Sequence, residues 1–179
     1  MTLRNSFQAL RRRLAPTEPE TATDPVPEAY PGQHEQRLSL RLLSYWQHLR
    51  GDATFASRAR IETEVIAEMW PWCFILEVPA IGNPAAARYA YVGPAIAERS
   101  LVTTDIRDPA ALRENTLLAQ ATSFLAQVLM RRVPVTMGGS FRNPAGREIL
   151  YRSVLLPLSD DQRTISAVLG AANCKEKTS

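Results

Sequence analysis

Residues 135–173 restrict this chain more than any other stretch, because they spell two tight reversals in succession. Ser140-Phe141-Arg142 leads into Asn143-Pro144-Ala145-Gly146. Asn at the first position, Pro at the second and Gly at the fourth suit a type I turn: Pro presets φ and the Asn side chain bonds its own turn. The return strand, Glu148 to Leu156, is expected to stop at Pro157, which has no N–H to give a ladder. Ser159-Asp160-Asp161-Gln162-Arg163 reads as a polar loop. Thr164 to Leu169 then runs back, with Ile165, Ala167 and Leu169 on one face. Three antiparallel strands are expected near residues 135–142, 148–157 and 163–173. Gly138-Gly139 inside the first marks a bulge or a close backbone approach.

Upstream, residues 72–78 are nearly all apolar and read as a central strand. Gly82-Asn83-Pro84 is a turn, and Arg88-Tyr89-Ala90-Tyr91-Val92 pairs back as a hairpin. Residues 34–50 are helical, with Leu38, Leu42, Tyr45, Trp46 and Leu49 in one stripe. Gly51 is placed to end this helix in the left-handed conformation. Residues 57–70 read as a second, shorter helix stopped by Pro71. Ala95 to Arg99 reads as one helical turn and residues 101–107 as irregular. Asp108-Pro109 starts a helical region, Asp as cap and Pro at the first position. It ends with Arg131 and Arg132 ahead of Pro134, and it is one helix or two. Two hairpins separated by a helical crossover make an α+β domain, a five-stranded antiparallel sheet with helices on one face and an N-terminal helix. That helix's stripe is too apolar for water. It is expected to cover the sheet's open face in its own subunit, contributing also to a homodimer interface.

A length of 179 residues fits one domain with appendages. The expected division is residues 1–33 as an appended segment, 34–175 as the domain and 176–179 as a tail. Residues 1–14 carry Arg4, Arg11, Arg12 and Arg13 and no acid. They read as a frayed basic tail or a short amphipathic helix touching a membrane surface or an acidic partner, the first being preferred. Residues 15–32 hold Pro16, Pro19, Pro25, Pro27 and Pro31 and are expected to form a disordered linker with few contacts. The net charge of +3 is a slight arginine excess, scattered outside the tail, which disfavours nucleic-acid binding. Two cysteines are too few for a disulfide scaffold. With no apolar signal core and no long apolar run, a cytoplasmic location is expected.

The element order and several short segments resemble a PAS domain, in particular the single-PAS proteins common in alphaproteobacteria. The matching pieces are Tyr45-Trp46-Gln47-His48-Leu49-Arg50-Gly51, Arg58-Ala59-Arg60-Ile61, Phe74-Ile75-Leu76-Glu77-Val78, Arg88-Tyr89-Ala90-Tyr91-Val92-Gly93, and Tyr151 to Ser159. Together they span about Leu38 to Cys174. The resemblance implies strand order 2-1-5-4-3 and a sensory or protein-interaction role. Two departures stand out. The family's Phe-Gly and Thr-Gly pairs after the Val-Gly step are replaced by residues 94–104, which puts any family ligand in doubt. Glu62-Thr63 stands where the family has Asp-Pro.

No residue pattern points to catalysis. A haem-binding PAS domain needs an axial ligand, commonly His. His34 and His48 are the only histidines, both ahead of the sheet, and His48 reads as an exposed helix position. A flavin-binding one needs a reactive Cys in an Asn-Cys-Arg context on a helix after the second strand. Asn173-Cys174-Lys175 echoes it but falls at the end of the last strand. No catalytic residue, metal site or cofactor is expected, and the protein should be colourless. Cys73 and Cys174 should lie on adjacent strands at the same end of the sheet, close but as free thiols. Candidate ligand or partner contacts are Trp46, Arg60, Arg88 and Arg152. The plainer readings are surface ion pairs for the arginines, and core packing for Trp46, Trp70 and Trp72. The expected function is a stand-alone PAS regulatory module that binds a signalling protein, gated by a small ligand, with no output domain after the last strand. The alternative is a small-molecule enzyme or carrier with a pocket on a curved sheet. Such a site wants a buried acid or His, and the strands offer only Glu77 and Glu148.

Overall fold

The computed structural model describes residues 29–32, 36–79 and 82–178. The expectations for residues 1–28 and for His34 lie outside these. In chain order the elements are α1 (Leu38–Arg50), β1 (Cys73–Glu77), β2 (Arg88–Val92), α2 (Pro94–Ser100), α3 (Leu117–Thr122), α4 (Leu125–Arg131), β3 (Val135–Arg142), β4 (Glu148–Leu158) and β5 (Ala167–Glu176). The sheet is ordered β2-β1-β5-β4-β3 and every strand pair in it is antiparallel. This is the expected order.

Alternation along the strands feeds two separate cores, one on each face. Phe74, Leu76, Tyr89, Leu155, Val168 and Ala172 face α2, α3 and α4, packing with Ile96, Leu117, Leu118, Phe124 and Val128. Cys73, Ile75, Val154, Leu156, Leu158, Leu169 and Ala171 face the other way, onto Leu42, Tyr45, Trp46 and Leu49 of α1. The α1 stripe is therefore a lid within its own chain, and the Trp46 indole donates to the Pro157 carbonyl at 2.9 Å. Burying Leu42, Trp46 and Leu49 contributes on the order of 2 kcal/mol each.

The hairpin turn forms as its residues dictate. Gly146 N–H donates to the Asn143 carbonyl, and Asn143 Oδ1 accepts from Ala145 and Arg147 N–H. The β3–β4 register runs without interruption past Gly138 and Gly139, so there is no bulge. The close approach is real: a Cβ on Gly139 would stand 3.2 Å from the Tyr151 ring.

Several expectations are corrected. Residues 57–70 are not a helix but a 3₁₀ turn at Arg58–Arg60, irregular turns, and a second 3₁₀ turn at Trp70–Trp72. Ile61, Thr63, Val65 and Ile66 are β-branched and lose side-chain freedom in a helix, so helical spacing of apolar residues was not enough. Ile66 and Met69 are nevertheless buried under α1. The region after Asp108 also breaks up, into a 3₁₀ turn at Pro109–Ala111 capped by Asp108, then α3 capped by Thr116, then α4. β4 continues through Pro157, which pairs with Val168. β3 begins opposite Leu155, so the flank on which Pro157 lacks an N–H has no strand beside it. There Ser159 N–H instead donates to the Ala56 carbonyl. β5 starts only at Ala167, so Ile165 falls outside the strand and joins the helical-side core rather than the face of Ala167 and Leu169. Gly51 has φ 55° but ψ −128°, outside the left-handed helical basin. Finally, the expected linker makes contact at its end. Tyr30 is 1% exposed and its ring meets Tyr45 edge-on at 5.2 Å, because one aromatic ring carries enough apolar area to dock.

Candidate functional site

The space between sheet and helices is filled by side chains. The Phe74 ring lies against Gly170 so closely that a Cβ there would stand 2.2 Å from Phe74 Cζ and 2.9 Å from Leu155 Cδ2. Tyr89 meets the Phe74 ring edge-on at 6.1 Å, and its hydroxyl reaches Thr122 Oγ1 at 3.4 Å. Burial raises the Tyr89 phenol well above its ordinary value, so it stays neutral. These residues do not fit a flat flavin or haem ring between sheet and helices.

Two open surfaces lie back to back at the hairpin end of β3, β4 and β5. On the α1 side the register sets out cross-strand rows: Gly138, Arg152 and Asn173, then Ser140, Leu150 and Lys175, then Arg142 and Glu148. Arg142, Arg152, Asn173 and Lys175 are exposed and Leu150 half-buried, because α1 covers only the rows nearer Val154 and Leu156. Lys177 neutralises Glu148 at 3.1 Å, leaving Arg142, Arg152 and Lys175 as a basic shelf. A groove beside the shelf runs between Arg152 and the start of α1 at Arg37, Ser39 and Leu40.

On the helical side of the same strands lies a cleft of about 420 Å³. Phe141, Ile149 and Cys174 form its floor, Glu98, Arg99 and Leu101 line it from the end of α2, Asn115 and Thr116 from the approach to α3, and residues 143–147 from the hairpin. Arg147 pairs with Glu176 at 2.9 Å. Burial pushes the Cys174 thiol up, while the positive charge of Arg99 draws it down.

The sequence-derived candidates are not gathered into one site. Trp46 is core, 4% exposed. Arg60 is exposed in the 3₁₀ turn after α1. Arg88 is exposed at the start of β2, bonding the Ala85 and Ala87 carbonyls and 3.9 Å from Asp108. Arg152 is on the shelf, separated from Arg88 by β1 and β5. Trp70 and Trp72 are half-buried, and Trp70 stacks on Tyr91 at 4.3 Å. His48 is exposed on α1, as expected.

The cysteines are free and sit on adjacent strands, but not close. Cys73 is opposite Ala171, three residues short of Cys174. That is a separation of about 10 Å along the strands. They also face opposite cores. Cys174 is in β5, not on a helix after the second strand. Among the described residues no group of His, Cys, Asp and Glu could hold a metal ion, and no helix is long and apolar enough to cross a membrane.

The family model described as PAS domain matches residues 34–173. The chain belongs to the PAS domain family. This domain is a module of the sensory signalling kind. Solved structures are similar to it at low identity. The LOV domain of the blue-light activated histidine kinase of Erythrobacter litoralis is 15% identical, over 59% of this chain and 95% of that one, with a TM-score of 0.42. The PAS domain of the fruit-fly ELK potassium channel is 13% identical, over 67% and 100%, with a TM-score of 0.41. The VqmA dimer of Vibrio cholerae is 15% identical, over 66% and 52%, with a TM-score of 0.44. A search of the curated proteins returns no match.

Proposed function

We propose that this PAS domain is a non-enzymatic regulatory module that transmits a signal by binding a partner protein through the basic shelf. The observation that supports it is the incomplete lid. α1 seals the apolar rows of the outer face and leaves the rows carrying Arg142, Arg152 and Lys175 open around half-buried Leu150. A half-buried apolar centre rimmed by cations suits an acidic protein surface, where rim charges speed and orient encounter. Arg152 is the expected central contact, consistent with its place between shelf and groove.

Site-specific photo-crosslinking in cells tests this. A benzoylphenylalanine at Asn173, on the shelf, should give a defined protein adduct that Arg152→Glu with Lys175→Glu abolishes. The same probe at Glu64, in the turns after α1, should give none. Equal adducts at both positions, or an adduct indifferent to the two charge reversals, would refute the shelf.

A further inference from the structure

We infer that the cleft between α2, α3 and the β3–β4 hairpin binds a small amphipathic carboxylate, with its head on Arg99 and Asn115 and its apolar body on Phe141, Ile149 and Leu101. This deepens the reading above and rests on it only for what binding would accomplish; binding itself is a property of the isolated protein.

The chemistry of the lining gives the ligand class. The floor is apolar and lies on the sheet, from the row of Phe141 and Ile149 with Cys174 beside it. Leu101 at the lip is 72% exposed and stands at φ 56°, a conformation a branched side chain rarely adopts. A large apolar residue held out in water at a cleft edge is an unfinished contact. Three cationic residues line the cleft, Arg99, Arg147 and Lys175; Arg147 is already neutralised by Glu176, and Lys175 belongs to the row with Leu150 that faces the shelf. Arg99 makes no ion pair or hydrogen bond among the described residues, and the Asn115 side chain has no partner among them either. A guanidinium and an amide donor beside an apolar floor match a carboxylate carrying a hydrocarbon body. Glu98 also lines the cleft. It is Arg99, however, whose charge reaches the floor, where it acts on the Cys174 thiol.

The cleft is distinct from the space between sheet and helices, which Phe74 and Tyr89 occupy. It also shares strands with the shelf. Phe141 and Ile149 face the cleft while Ser140 and Leu150 face the shelf, one residue apart on each strand. A ligand that clamps the hairpin to α2 would thus stiffen the strands that carry Arg152.

Octanoate is the probe. Titrated into the full-length, isotope-labelled protein, it should give saturable amide shifts confined to residues 98–101, 115–116, 141–149 and 174–176. Arg99→Gln should weaken binding about tenfold, the loss of one charge-assisted contact. Leu101→Asn, which suits the left-handed backbone and removes the apolar lip, should also weaken it without loss of folding. Octanol should bind more weakly than octanoate. Arg152→Glu should leave octanoate affinity unchanged, which separates this site from the partner shelf. Absence of saturable shifts, shifts centred on Phe74 and Tyr89, or an Arg99→Gln affinity equal to the parent's would each overturn the inference. A failed partner crosslink with intact octanoate binding would leave the cleft standing and remove only the shelf.

Discussion

Replacing Gly170 with alanine tests whether the interior is truly filled. The added methyl would sit 2.2 Å from Phe74 Cζ, 2.4 Å from Cε2 and 2.9 Å from Leu155 Cδ2. Carbon atoms rest about 3.5–4.0 Å apart, so the ring must retreat by more than about 1 Å. Phe74 and Leu155 are fully buried, with Tyr89 edge-on to the ring. Retreat of the ring must therefore displace its buried neighbours. Overpacking of this kind costs about 1–3 kcal/mol, and that displacement places Gly170→Ala in the upper half of that range. Against a net stability of about 5–15 kcal/mol this is a large fraction. Urea titration should show a lower midpoint with an unchanged slope. Phe74→Leu should make room, so the double variant should recover at least about 1 kcal/mol relative to the sum of the singles. A Gly170→Ala protein within about 0.5 kcal/mol of its parent, with no coupling to Phe74, would refute the reasoning. It would also reopen the interior as a place for a ligand.

Four other outcomes are expected. Trp46→Phe should cost about 1–3 kcal/mol in a denaturation experiment, because it strands the buried Pro157 carbonyl that the indole N–H now satisfies at 2.9 Å. Asp161 is held well below the ordinary carboxylate range, chiefly by the Thr164 N–H, then the Arg163 N–H and the Ser159 hydroxyl. A depressed folded value means that its stabilisation is complete above the unfolded value of about 4 and fades as the pH falls through the folded one. Asp161→Asn should therefore lower the urea midpoint at neutral pH, with the gap to the parent closing as the pH drops below about 3; a constant gap would contradict the assignment. A thiol reagent should label Cys174 in the native protein and Cys73 only on unfolding, since Cys73 is fully buried with its thiol pushed up by that burial. The purified protein should be colourless, and a Soret or flavin band that survives dialysis would contradict the filled interior.

The strands were legible because each carries its own local instruction. The Asn143-Pro144-Ala145-Gly146 turn sets the β3–β4 register, and the apolar run at Phe74-Ile75-Leu76 can only be a strand buried on both faces. What was hidden depends on neighbours. Pro157 looks like a strand end until it is known that β3 stops short of it. Ile61, Val65, Ile66 and Met69 have helical spacing, but their burial is supplied by α1 and not by a helix of their own. Tyr30 was lost among prolines, although a buried tyrosine in such a segment is the signal that could have found it. The cleft was invisible because its lining comes from four separate stretches, residues 98–101, 115–116, 141–149 and 174–176, and the one motif among them, the hairpin turn, specifies a reversal and not a ligand. Of the four candidate contacts, only Arg152 lies on one of the two open surfaces at the hairpin end.

The division of alternate strand residues between two cores also governs how this chain can change length. In β5, Val168 and Ala172 serve one core while Leu169 and Ala171 serve the other. One inserted residue would exchange the two sets and send every downstream side chain into the wrong neighbourhood. An ordinary half-exposed sheet could absorb such a slip by exposing a row to water; here both rows have assigned places. Insertions and deletions are therefore confined to connections such as the tip of the β3–β4 hairpin, the turn at Asn83 and the stretch between α2 and α3, while β1, β4 and β5 can evolve only by substitution. The first and last of these tolerant segments border the cleft. The fold thus leaves its ligand-facing rim free to diversify while its central strands stay fixed in length.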